Sequence, residues 1–151
     1  MKSVRVLGLS AFALALSALA AAPGYHAQVV GGTVPGAAKS KTRLDLSSTE
    51  AMVLRSAQIA IRIDYRKINT VEYGQNVSRR YTEAILISPV LLLAKSRKHF
   101  VTLGYLDDAS QQQALVLRVD KGDIRSFLAS LEARTGRRVE YQDNEARKGG
   151  R

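Results

Sequence analysis

A chain of 151 residues has room for one domain with appendages, and 46% hydrophobic against 24% charged residues is the balance of a globular protein rather than a disordered one. There is no cysteine, which excludes disulfide partners and a lipid-modified cysteine anchor. The formal net charge of +10 favours anionic partners.

The N-terminus opens with the basic Met1–Arg5, followed by the uncharged Val6–Ala22, rich in Ala and Leu. Ala18 and Ala20 flank Leu19 in the pattern read by signal peptidase, so residues 1–20 are expected to be a signal peptide cleaved after Ala20. An uncleaved anchor is the alternative; the Ala-rich run and Pro23-Gly24 favour cleavage. The expected location is therefore outside the cytoplasm, periplasmic or secreted. Removing Lys2 and Arg5 from 23 basic residues leaves 21 against 13 acidic ones, a net charge of +8. For an exported basic protein the expected partner is an anionic lipid surface or an envelope protein, and nucleic acid is disfavoured.

Residues 21–43, including "PGYHAQVVGGTVPGAAKSKT", are rich in Pro and Gly and lack apolar periodicity, which predicts a flexible linker. His26 lies in it without a second ligand nearby. Short extended segments are expected around Leu44–Leu46 and Met52–Leu54. In "SAQIAIRIDY", Ile59, Ile61, Ile63 and Tyr65 alternate with polar or small residues, the period of a half-buried strand. "NTVEYG", Asn69–Gly74, reads as its partner after a turn at Arg66-Lys67.

"AILISPVLLLAKSRKHF" follows. Its eleven residues Ala84–Ala94 cover about 16 Å as a helix, against a hydrocarbon core of about 30 Å, so the segment cannot span a membrane. Ser88-Pro89 provides an N-cap and first-turn proline, predicting two short helices over 79–87 and 89–96 as an insertion between strands. Its leucines either fill the core or stay exposed. In the second case Leu91 and Leu92 with Arg79, Arg80, Lys95, Arg97 and Lys98 form an apolar wedge with a basic rim, suited to a membrane surface or protein partner.

"HFVTLGYL" and "QQALVLRV" around Asp107–Ser110 predict a β-hairpin. In "GDIRSFLASLEARTG", Ile124, Phe127, Leu128 and Leu131 form one helical stripe, with Asp123 in the first turn, Arg134 in the last and Gly136 as C-cap. "RRVEYQD" resumes an extended pattern, and residues 144–151 are expected to be a disordered basic tail.

In order, "IRIDYRKINTVEYGQNVSRR", "KSRKHFVTLGYLDD" and "QALVLRVDKGDIRSFLASLEARTGRRVEYQD" resemble bacterial pleckstrin-homology-like (GRAM-like) domains over residues 44–143. The resemblance implies a mainly β (α+β) fold: a bent antiparallel barrel of six to seven strands with a C-terminal amphipathic capping helix. It implies a binding platform for phosphoinositides or proteins, without catalysis. Where lipid-binding members carry a basic cluster in the first hairpin loop, this chain has Ser47-Ser48-Thr49-Glu50, without positive charge.

The residues themselves offer little for catalysis. Two histidines are too few for a multi-histidine metal site, Asp107-Asp108 has the composition of a turn, and Gly31-Gly32 stands apart from any strand-to-helix junction. The expectation is a non-enzymatic binding or structural module of the cell envelope with no catalytic, cofactor or metal residues. A protein-interaction domain without lipid contact, or a small enzyme with an unrecognised site, are the alternatives.

Overall fold

The computed structural model describes residues 24–34, 41–57, 59–75 and 99–150. They form eight strands: β1 Tyr25–Gly32, β2 Lys41–Asp45, β3 Ala51–Arg55, β4 Ala60–Asp64, β5 Ile68–Gly74, β6 His99–Leu106, β7 Gln112–Val119 and β8 Glu140–Tyr141. A 3₁₀ turn, Tyr65–Lys67, joins β4 to β5, and two helices follow β7: α1, Ile124–Thr135, and α2, Asn144–Gly150. The strands make one sheet in the order β4-β3-β2-β1-β7-β6-β5-β8, antiparallel throughout except where β8 lies parallel to β5.

The expected mainly β, α+β class is what the chain adopts, but the sheet is open, mixed and eight-stranded rather than a closed antiparallel barrel of six to seven strands. Its curvature follows from chain length. β4 ends at Asp64 and β5 begins at Ile68, a step of about 14 Å at full extension. In a flat sheet those strands, six places apart in the order, would lie about 29 Å from each other. The sheet must therefore curl until its two ends approach. This corrects the expectation that Asn69–Gly74 pairs with the preceding strand: β5 pairs with β6 and β8, and β4 with β3 alone.

Two further expectations are corrected. Tyr25–Gly32, read as part of the linker, is the strand that joins β2 to β7 in the middle of the sheet. Its Val29 and Val30 are buried on opposite faces, so composition without alternation concealed it. His26 accordingly sits on a strand. Because β1 precedes it, the Ser47–Glu50 loop joins the second and third strands rather than forming the first hairpin. Asn144–Gly150, read as a disordered tail, is α2, whose Ala146 and Gly150 are buried. The folded unit thus extends beyond 44–143 at both ends. The signal peptide (residues 1–20) and the two helical pieces over 79–96 lie outside the described residues. Gly74 and His99, the strand ends that flank this stretch, lie next to each other, since Gly74 pairs with Phe100.

The core fills the concave side. Ile59, Ile61, Ile63 and Tyr65 belong to it or pack against it, as their alternation predicts, while Ala60 and Arg62 point to solvent. The stripe Ile124, Phe127, Leu128 and Leu131 lays α1 over this side, each residue contributing about 1.5–3 kcal/mol on burial. Gly136, at φ 66°, ends the helix and donates its N–H to Glu132 O at 2.9 Å, the left-handed cap that glycine adopts without strain. Two aromatic contacts fix α1 to distant parts of the sheet. The Tyr25 ring meets Phe127 edge-on at 5.3 Å, with its hydroxyl 3.0 Å from Ser130 Oγ. Arg134 lies over the Tyr65 ring at 5.7 Å and donates to Ser48 O at 2.6 Å.

The central strands are buried on both faces. Val30, Phe100, Thr102, Ala114 and Val116 are buried yet stand outside the core cluster that contains Val29, Val101, Leu103, Leu115 and Leu117. Two covered faces explain why β6 and β7 read as nearly continuous apolar runs.

Candidate binding surfaces

The paired acids of the β6–β7 turn serve the turn. Asp107 accepts the N–H groups of Ala109 at 2.9 Å and Gln111 at 2.8 Å, and the Gln111 bond holds its carboxyl below the usual carboxylate range. Asp108 pairs with Lys67, whose ammonium it pushes above its ordinary value. His99 shares a hydrogen bond between its Nδ1 and the Tyr73 hydroxyl and stacks on that ring at 5.9 Å; Tyr141 meets Tyr73 edge-on at 6.1 Å. Burial lowers the His99 pKa, with Lys121 acting in the same direction, and burial raises that of Tyr73. Among the described residues no group of three or more His, Cys, Asp or Glu side chains is placed to hold a metal.

The first surface is the edge of β4, which among the described residues pairs with β3 alone. Ser56 N–H donates to Ile59 O at 2.9 Å, and Tyr65 N–H donates to Glu50 O at 2.9 Å. Both bonds share the register that pairs Leu54 with Ile61 and Met52 with Ile63. Hydrogen-bonded pairs alternate in an antiparallel ladder, so Ile61 and Ile63 are bonded to β3. Ala60 and Arg62 consequently turn both N–H and C=O away from β3, and Asp64 its N–H, at the terminal strand of the sheet.

This edge forms one wall of a groove of about 400 Å³. Ile61–Asp64 line one side, and Lys67 with Tyr105–Asp108 the other. The groove is a seam between the edge strand β4 and the end of β6 with its following turn. Leu106, the exposed large hydrophobic side chain among the described residues, lies on it. An edge with unpaired backbone groups beside an apolar side chain accepts a further strand.

The second surface lies between α1, β8 and α2, a groove of about 490 Å³. Leu128, Ala129, Val139 and Tyr141 supply apolar lining, and Arg125, Arg138 and Arg147 stand around it. The register here depends on close packing: a Cβ on Gly150 would fall 2.7 Å from Tyr141 Cε1 and 3.1 Å from Leu128 Cδ1.

Arg79, Arg80, Leu91, Leu92, Lys95, Arg97 and Lys98, the contact residues expected from the sequence, lie outside the described residues. The two surfaces above came from the tertiary arrangement. Arg62 was visible only as an outward residue of a strand, and nothing local marks that strand as terminal. Arg125 lies on α1, Arg138 in the connection to β8 and Arg147 on α2, with nothing local to mark them as neighbours. Among the described residues no helix is long and apolar enough to cross a membrane. No protein-family model matches the chain, and no curated protein sequence matches it either.

Proposed function

We propose that the chain is a non-enzymatic binding module, exported to the cell envelope, that takes up an extended segment of a partner protein along the free edge of β4. The observation that carries this reading is the set of outward backbone groups at Ala60, Arg62 and Asp64, facing an open groove with Leu106 on its rim. Strand addition draws affinity from main-chain hydrogen bonds, each worth about 0.5–1.5 kcal/mol net, and selectivity from alternate side chains. A segment whose inward residues are apolar fits the apolar lining of the groove, Ile61 on one wall and Tyr105 with Leu106 on the other.

Export is supported by the basic Met1–Arg5, the uncharged Val6–Ala22 and the Ala18-Leu19-Ala20 cleavage pattern. The pleckstrin-homology-like reading is supported by seven consecutive antiparallel strands, curled on themselves and followed by an amphipathic helix over the concave side. That fold is by itself a weak guide to function. The absence of catalysis remains part of the proposal, resting on Asp107 and Asp108 being engaged in a turn and an ion pair.

The test exploits the direction of one N–H. Arg62→Pro removes an outward donor and places a ring on the free edge while leaving the ladder to β3 intact, a substitution edge strands tolerate. Wild type and variant are immobilised as baits for solubilised envelope proteins, with unfolding midpoints compared in parallel. A partner captured by the wild type and reduced at least tenfold with an equally stable Arg62→Pro supports strand addition. Equal capture by both rejects it.

A further inference from the structure

We infer that the groove between α1, β8 and α2 is a second, separate binding site, for the phosphate group of an organic phosphate ester. Arg125 reaches it from the first turn of α1, Arg138 from the connection to β8 and Arg147 from α2. All three side chains belong to exposed residues and none forms an ion pair among the described residues. Three cations, from α1, the connection to β8 and α2, line one concavity, a positive potential that favours an anion there.

One carboxylate lines the groove with these three cations. Glu132 lines the same groove, but its Oε1 accepts the Val139 N–H at 2.8 Å and fixes the chain between α1 and β8. Its charge offsets one of the three arginines and leaves the lining positive.

The chemistry of the guanidinium narrows the ligand. Its planar fork matches carboxylate and phosphate oxygens, and a carboxylate has two oxygens, enough for one bidentate arginine. A phosphate monoester or diester offers more oxygens in a tetrahedral array and can serve arginines approaching from several sides. The floor formed by Leu128, Val139 and Tyr141 gives the organic part an apolar seat, and a volume of about 490 Å³ exceeds the need of a bare phosphate. The ester can come from a lipid headgroup or from a soluble metabolite.

The experiment uses the full chain and three probes: glycerol phosphate, vesicles of phosphatidylcholine, and vesicles of phosphatidylcholine with phosphatidylglycerol. Binding is measured for wild type, for Arg125→Ser/Arg138→Ser, and for Arg43→Ser/Arg66→Ser, which removes the same charge elsewhere on the surface. The inference expects the groove variant to lose at least tenfold in affinity for a phosphate-bearing probe and the control variant less than about twofold, with unfolding midpoints of all three alike. Groove-dependent binding of glycerol phosphate identifies a soluble ester; groove-dependent binding of the anionic vesicles alone identifies a headgroup. Equal weakening by both variants means diffuse electrostatics and overturns the site, as does absence of binding to every probe. Because Arg62 and the β4 edge are untouched in both variants, the result is independent of partner capture at the seam.

Discussion

Removal of residues 1–43, which leaves the segment with the family resemblance and discards the glycine-rich stretch before it, is predicted to abolish folding. The magnitude follows from β1. Val29 and Val30 are 1% and 2% exposed, and burying each is worth about 1.5–3 kcal/mol, about 3–6 kcal/mol together. The Tyr25–Phe127 contact adds about 0.5–1.5 kcal/mol beyond burial. The deletion also removes Lys41–Arg43 from β2 and frees the edge of β7, which pairs with β1 from Ala27 to Gly32. Against a typical total stability of about 5–15 kcal/mol, these losses consume most or all of it. Far-UV circular dichroism with urea titration of residues 24–151 and 44–151 provides the assay. The longer chain should unfold cooperatively and the shorter show no cooperative transition. A shorter chain with the same midpoint would return Tyr25–Gly32 to the role of a tether and refute the sheet order described above.

Other substitutions probe the remaining joints of the fold. Leu131→Ala, at a fully buried position of α1, should cost about 2–5 kcal/mol in chemical denaturation. Gly136→Ala forces a side chain into φ 66° and should lower stability by about 1 kcal/mol. Gly150→Val should displace α2 from Tyr141 and Leu128, seen as faster proteolysis of the C-terminus with the sheet intact. For pH, His99 has a folded pKa below its ordinary 6.5, so the unfolded chain binds the extra proton. Its contribution is complete above about pH 6.5 and is lost as pH falls through the lower folded value. His99→Gln should flatten that part of the stability profile between pH 7.5 and 5, whereas an unchanged slope would exclude His99 as its source.

The parts legible in the sequence are those whose signal is local. The alternation of Ile59, Ile61 and Ile63 against Ala60 and Arg62 comes from one buried and one wet face. Asp107–Ser110 contains its own turn chemistry, and the α1 stripe ends at a glycine that the cap geometry uses. β1 was hidden for a physical reason: a central strand covered on both faces shows no period of two. Its glycines also resemble those of a linker, although Gly32 lies so close to β7 that a Cβ would be 2.9 Å from Ala114 O. The order of the sheet was hidden for another. Whether a strand following a short turn pairs with its predecessor or starts the far end of a curled sheet is decided by packing between residues far apart in sequence. The β4 edge inherits this difficulty, whereas the three-arginine groove is lined by consecutive elements within residues 125–150 and needed only the packing of the last helix to be seen.

The outward-facing amides of Arg62 and Asp64 are the groups that an added strand would bond first. Their hydrogen exchange can be followed by NMR in the free chain and in complex with a captured partner or a peptide spanning its contact segment. Strand addition predicts that both amides exchange fast in the free protein and at least tenfold more slowly in the complex, while Ile61 and Ile63, already bonded to β3, change little. Binding that leaves the Arg62 and Asp64 amides as exposed as before would contradict it.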